Sequence, residues 1–203
     1  VPMPNIDETK LTLAVYKDGN ELLSYTPMGE NDEETPNPAE ALPEPQFVET
    51  TEKLFLAATH LEQYRHATYS PEDYYLEGLK RDETDIRLNN GYGKYLYNKG
   101  RFAESEKYFR QAIKSSTWKN PNPYDCERNM QDKAFYQLAC IASGRGDYND
   151  ALEYIEKSLV KGMHNLKART LKSALLRKLG KNTEATEFAK ETRNIDALDH
   201  SAY

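Results

Sequence analysis

His60 and His66, with Glu62 between them, and Cys126 and Cys140 are the side chains whose types could carry acid–base, nucleophilic or metal chemistry. Their spacing does not suit it. Two ligands on one helix face stand three or four residues apart, and these histidines stand six apart. His164 and His200 belong to other predicted elements, and no nucleophile neighbours Glu62. The cysteines are 14 apart with no second pair, which predicts two free thiols in place of a zinc site or a disulfide framework. A Gly-rich phosphate loop and an elbow serine are both missing from the sequence. The expectation is a chain with no catalytic residue, no metal and no cofactor.

A second kind of chemistry is better supplied. Arg87, Asn90 and Lys94 recur at helical spacing, a pattern that can hold a carboxylate by charge-assisted hydrogen bonds. Tyr64, Tyr97 and Tyr136 could instead stack on sugar rings while Asn and Gln bond hydroxyls. Helices must position all of these. Residues 85–116, DIRLNNGYGKYLYNKGRFAESEKYFRQAIKSS, predict a helix, a turn centred on Gly100 and a second helix. The turn glycines Gly146 and Gly180 are 34 apart, as are Ala151 and Ala185, and Gly78 and Ala112. Gly100 to Gly146 is 46, one period plus 12 residues.

Three sets of positions then hold small residues, as close helix–helix contact requires. They are Thr59, Gly93, Ala139 and Ser173; Pro71, Ser105, Ala151 and Ala185; and Gly78, Ala112, Ser158 and Thr192. This order of small and large positions resembles the tetratricopeptide repeat. The resemblance implies an all-α solenoid, a right-handed superhelix of about four helix pairs at about 50–82, 83–116, 130–162 and 164–198, preceded by a short β-hairpin and an extended linker. An ordinary helical bundle without a repeat is the alternative.

Length and charge agree with one solenoid plus an appendage. The chain has 203 residues and a net charge of −6. Residues 1–50 carry eleven acids and two lysines, and the remainder carries 22 acids against 25 Lys and Arg. The acidic end and the diffuse positive balance elsewhere argue against a nucleic-acid partner. No run of 18 apolar residues predicts a membrane span. Val1-Pro2 replaces an initiating Met, as in a fragment, so either cytoplasm or periplasm fits.

In chain order, 1–26 predicts a hairpin, with β-forming Leu11–Tyr16, a turn at Asp18-Gly19-Asn20 and a second strand through Glu21–Tyr25. Residues 27–49 are rich in Pro and acids and predict an extended or mobile linker. Residues 50–203 form the helical repeat domain, with Ser70-Pro71-Glu72-Asp73 as a strong helix start. Thr117 to Asp125, with two prolines, breaks the series before helices resume near Asn129. Little chain follows Asp199 to cover the last pair.

His60 to Thr68, Asn120 to Asp125, and Lys167 to Gly180 also resemble the C-terminal region of a group of large bacterial proteins. Those join a β-sandwich portion, similar to carbohydrate-active and aldose-epimerase-like domains, to a tetratricopeptide region. The resemblance covers roughly residues 10–203 and implies that the hairpin is the trailing edge of that β portion. It also implies a further helix pair between Tyr124-Asp125 and Phe135-Tyr136, where this chain has only Cys126 to Ala134.

In repeats of this kind the first helix of each pair builds the concave face. By register, His60, Gln63 and Tyr64, then Arg87, Asn90, Lys94 and Tyr97, then Lys133 and Tyr136, line a ligand groove. Asn98, Cys140, Lys167, Thr170, Arg177 and Lys178 extend it. The expected function is a non-catalytic scaffold binding a protein or peptide with an acidic segment or C-terminal carboxylate, or the β-domain of its own parent chain. An accessory glycan-contacting region, self-occupation by linker 27–49, and a merely solvated polar face are the alternatives.

Overall fold

The structure is a computed structural model that describes residues 7–29, 41–64, 68–118, 130–161 and 165–195. Two compact units divide the chain, Val1–Ala41 and Leu42–Tyr203.

The first unit holds a two-stranded antiparallel hairpin, β1 (Leu13–Lys17) and β2 (Asn20–Tyr25), joined at Asp18 and Gly19, both at positive φ. Leu13 pairs with Tyr25 and Val15 with Leu23, so these four apolar residues share one face, and all four are exposed. The Thr12 and Thr26 hydroxyls bond each other at 2.7 Å.

Among the described residues the second unit has eight helices in stacked pairs: α1 (Thr51–Tyr64), α2 (Pro71–Arg81), α3 (Ile86–Asn98), α4 (Phe102–Trp118), α5 (Gln131–Arg145), α6 (Tyr148–Lys161), α7 (Leu166–Lys178) and α8 (Asn182–Ile195). Three of the four pairs turn in the same way. Gly100, Gly146 and Gly180 sit at φ 77°, 89° and 77°, where a Cβ would be strained. Each donates its N–H to the carbonyl three residues back, and the next residue (Arg101, Asp147 or Lys181) reaches the carbonyl five residues back at 2.9–3.0 Å. That double closure satisfies the last carbonyls of the first helix and reverses the chain. The N-termini differ from pair to pair. Asp85 accepts from the N–H of Arg87 and Leu88, Asn165 from that of Ala168, while Ser70, at the cap of α2, makes no side-chain capping bond.

Most of the small positions are buried at helix–helix contacts, as expected, while Pro71 and Ser173 are half-buried. Gly93 is buried, and a Cβ built on it would lie 2.9 Å from the Phe109 ring. One built on Gly78 would meet Leu88 at 2.7 Å. Where the small residue is a serine it also bonds the facing helix: Ser105 Oγ donates to Gly93 O at 2.7 Å and Ser158 Oγ to Asp132 O at 2.8 Å. Ala112, Ala139, Ala151, Ala185 and Thr192 are buried as well. Thr59 is the exception. It is exposed and bonds back to Phe55 O, and Tyr75, 34 residues before Phe109, carries its hydroxyl to Glu62 at 2.6 Å.

The core runs through the stack in three clusters. Leu54, Ala58, Leu61, Tyr74, Tyr75, Leu88 and Leu96 form one; Ile86, Phe109, Ala134 and Leu138 another; Ala139, Ile155, Ala168 and Leu175 a third. Each cluster spans a pair and the first helix after it, so no pair could bury its apolar face alone.

Residues 42–49 differ from the linker expectation. Leu42 and Val48 pack into the first cluster, Pro45–Phe47 forms a 3-10 turn, and Tyr74 donates its hydroxyl to Pro43 O at 2.9 Å. Arg81 donates to the carbonyls of Pro45, Gln46 and Val48 at 3.2, 3.1 and 2.5 Å. Two apolar anchors and one guanidinium offset the ordering entropy that a Pro- and Glu-rich composition suggested this segment could not meet. Residues 30–40, the break at 119–129 with Cys126, and the tail from residue 196 lie outside the described residues, as do His66, His164 and His200.

Candidate functional site

The first helices form a row in which α1 neighbours α3 and α3 neighbours α5. On α1, His60, Gln63 and Tyr64 are exposed, with the His60 and Tyr64 rings 4.5 Å apart and Tyr64 68 % exposed. Glu62, beside them in sequence, accepts the Tyr75 hydroxyl at 2.6 Å.

On α3 the proposed carboxylate-holding trio separates into different roles. Arg87 pairs with Glu52 of α1 and with Asp85, both at 3.4 Å, so its charge ties α1 to α3. Asn90 donates its amide to Met130 O at 3.3 Å, ahead of α5, while its Oδ1 is buried with no hydrogen-bond partner. Lys94 is exposed and forms no ion pair among the described residues.

The aromatic positions are also divided. Tyr97 is half-buried and meets Phe102 edge-on with ring centroids 5.2 Å apart. Tyr136 is half-buried and hydrogen-bonded to the Cys140 thiol. Burial, with the Cys140 sulfur close by, holds both phenols above their usual range. Burial likewise pushes the Cys140 thiol up, the reverse of what a reactive thiolate needs. Neither ring lies open for stacking; Tyr64 alone of the three does. On α5 and α7, Lys133 and Lys167 are exposed and form no ion pair among the described residues.

Several arginines elsewhere are engaged by carboxylates. Arg101 bridges Glu72 and Glu104 at 2.8 and 2.7 Å. Arg110 and Arg145 converge on Glu106 at 2.6 and 2.8 Å. Burial opposes the Glu106 charge, yet the two guanidiniums outweigh it and hold its carboxyl below the usual range. No group of three or more His, Cys, Asp or Glu side chains among the described residues could hold a metal ion, and no helix among them is long and apolar enough to cross a membrane.

Sequence reasoning named Thr170 and Arg177 but missed the groove between α7 and α8 that they line. It is lined by Thr170, Ser173, Ala174, Arg177, Ala185, Thr186, Ala189, Lys190, Thr192 and Arg193. The signal was available: 34 residues after Leu152, Ile155 and Leu159 stand Thr186, Ala189 and Arg193.

Comparison with known proteins fits this geometry. Residues 86–116 and 132–159 match the tetratricopeptide repeat family model. The fold resembles that of pilF from Pseudomonas aeruginosa, at a TM-score of 0.64 and 17 % identity over 75 % of this chain and 64 % of that one. It resembles YrrB, described as a tetratricopeptide-repeat protein with an unusual peptide-binding site, at 0.54 and 18 % over 74 % and 68 %. PilW, a widely conserved type IV pilus biogenesis factor, gives 0.57 and 18 % over 71 % and 61 %. The chain therefore spans less than two thirds of the length of pilF and of PilW. By these matches residues 86–116 and 132–159 are similar to tetratricopeptide repeats, and the fold of stacked helix pairs is similar to that of pilF, YrrB and PilW.

Proposed function

We propose that the protein is a non-catalytic interaction scaffold that takes an acidic peptide segment along its row of first helices. One observation carries this reading. Lys94, Lys133 and Lys167, on three successive first helices, stand exposed without an ion-pair partner among the described residues, while Arg81, Arg87, Arg101, Arg110 and Arg145 are all engaged. A ladder of uncommitted ammonium groups suits carboxylates spread along an extended chain. The peptide site ascribed to YrrB, a similar fold, agrees with this by analogy only.

Fluorescence anisotropy with a labelled ten-residue Glu/Asp-rich peptide tests the proposal. Binding should weaken steeply with added salt. Replacing Lys94 and Lys133 together by Ala should lower affinity by roughly 2- to 30-fold, about 0.2–1 kcal/mol for each exposed contact. Amidating the peptide's C-terminus separates recognition of a terminal carboxylate from recognition of side-chain acids. Binding that ignores both salt and the double substitution would refute the reading.

A further inference from the structure

The groove between α7 and α8 is the place where the stacking pattern stops among the described residues. Each earlier pair is covered by the first helix that follows it: α3 packs on α2, α5 on α4, and α7 on α6. In the third pair the covered surface is apolar, with Ile155 buried and Leu152 and Leu159 partly buried beside Ala168, Leu171 and Leu175 of α7. At the equivalent places of the last pair the residues are Thr186, Ala189 and Arg193. The floor built from Ala174, Ala185 and Ala189 lacks bulk, which leaves a cleft of about 280 Å³. Ser173 lines it with a buried hydroxyl that has no hydrogen-bond partner.

Charge is distributed unevenly around that cleft. Arg177, Lys190 and Arg193 line it. On α8 the glutamates 184, 187 and 191 fall, at 100° per residue, on the side of the helix away from Ala185, Ala189 and Thr192. Glu191 is turned to Arg169, at 3.4 Å. α7 has five basic residues and no acidic one. Residues 165–195 as a whole hold eight Lys and Arg against three Glu, a net of +5 in a chain whose total is −6.

We propose that this cleft docks an amphipathic helix of a partner protein, one with a narrow seam of small side chains and carboxylates along both flanks. The helical form follows from the position, since a helix fills the same place on every earlier pair. The narrow seam follows from the small floor, which permits close backbone approach. The acidic flanks follow from the cationic lining, with Arg177 on the α7 side and Lys190 on the α8 side. A polar seam residue opposite Ser173 completes its hydroxyl. This surface is separate from the Lys94–Lys133 row, and its occupant is a helix and not an extended segment.

The test uses the full chain and an 18-residue helical peptide, capped at both ends, with an Ala/Ser seam and Glu on both flanks. Wild type should bind it, with titration followed by fluorescence anisotropy. Arg177→Glu with Lys190→Glu should lower affinity about tenfold or more and should bind the Lys-flanked version of the same peptide instead. Ala189→Trp, which fills the cleft without altering charge, should abolish binding while far-UV circular dichroism stays unchanged. Lys94→Ala with Lys133→Ala should leave this binding intact, so that the two surfaces fail or succeed separately. Equal binding to wild type and to the Glu variant, no binding to wild type, or occupation by a second copy in sedimentation velocity would each overturn the proposal.

Discussion

Gly93→Ala is the sharpest probe of the helix register, because propensity and packing pull it in opposite directions. Glycine inside a helix costs about 0.8–1 kcal/mol relative to alanine. On propensity alone the substitution should stabilise α3. The new methyl, however, would stand 2.9, 3.1 and 3.1 Å from three atoms of the Phe109 ring. That ring is 1 % exposed and has no free space to enter. The hydrogen bond from Ser105 Oγ to Gly93 O ties α4 to α3 at the same level and resists separation of the two helices. Overpacking of this kind costs about 1–3 kcal/mol. Gly144→Ala is the matched control, since Gly144 lies in α5 with nothing within 4 Å of a Cβ. The propensity gain is common to both, so the control minus the test isolates the steric cost, about 1–3 kcal/mol. For a chain of this length that is a gap of roughly 2–12 °C in Tm, with Gly144→Ala the higher. Thermal melts by far-UV circular dichroism measure it. Adding Phe109→Leu to Gly93→Ala should recover part of the loss, a favourable coupling on the order of 1 kcal/mol. If Gly93→Ala raises Tm as much as Gly144→Ala does, α3 and α4 do not touch there and the shared register is wrong.

Arg81→Met keeps the apolar stem but removes the donors to the carbonyls of Pro45, Gln46 and Val48, so amides in 46–49 should exchange about tenfold faster while those of α5 and α6 do not change. Hydrogen exchange with mass-spectrometric readout checks this, and uniform acceleration across all helices would contradict a local clamp. Stability should also fall at both ends of the pH scale. The phenols of Tyr75 and Tyr92 are held above their usual value, by burial first and then by Glu62 and Glu72. Raised acids of this kind contribute stability that is complete below the unfolded value of about 10 and is lost as pH climbs past it. Glu72 is held below the usual carboxylate range, chiefly by the Tyr92 hydroxyl and then by Arg101, so its contribution is present above the unfolded value of about 4.3 and fades as pH drops through the folded one. Urea midpoints measured across pH should therefore show a plateau, with the alkaline limb flattened in Tyr75→Phe and the acid limb flattened in Glu72→Gln; unchanged limbs would refute the assignment.

What could be read from the sequence was whatever depends on one residue meeting a backbone. Gly100, Gly146 and Gly180 were legible because only glycine takes their left-handed φ cheaply, and Gly93, Ser105 and Ala151 because a neighbouring helix leaves room for nothing larger. What depends on two side chains distant in sequence was not legible. Arg87 occupies a groove position by register, yet Glu52, 35 residues earlier, captures its charge, and that pairing exists only once α1 and α3 are neighbours. Tyr97 and Tyr136 have the composition of a stacking platform and are instead consumed by contacts with Phe102 and Cys140. Arg81 has carbonyls for partners, and carbonyls carry no sequence signature at all, so residues 42–49 could not be told from a free linker. The same distinction underlies both proposals: a side chain already engaged by the fold is costly to redirect to a partner, so they rest on cations it leaves over, among them Lys94, Lys133 and Lys167 on the first helices and Arg177 and Lys190 at the cleft of the last pair. Both sets call for an acidic partner, and the shape behind each set decides which form that partner takes.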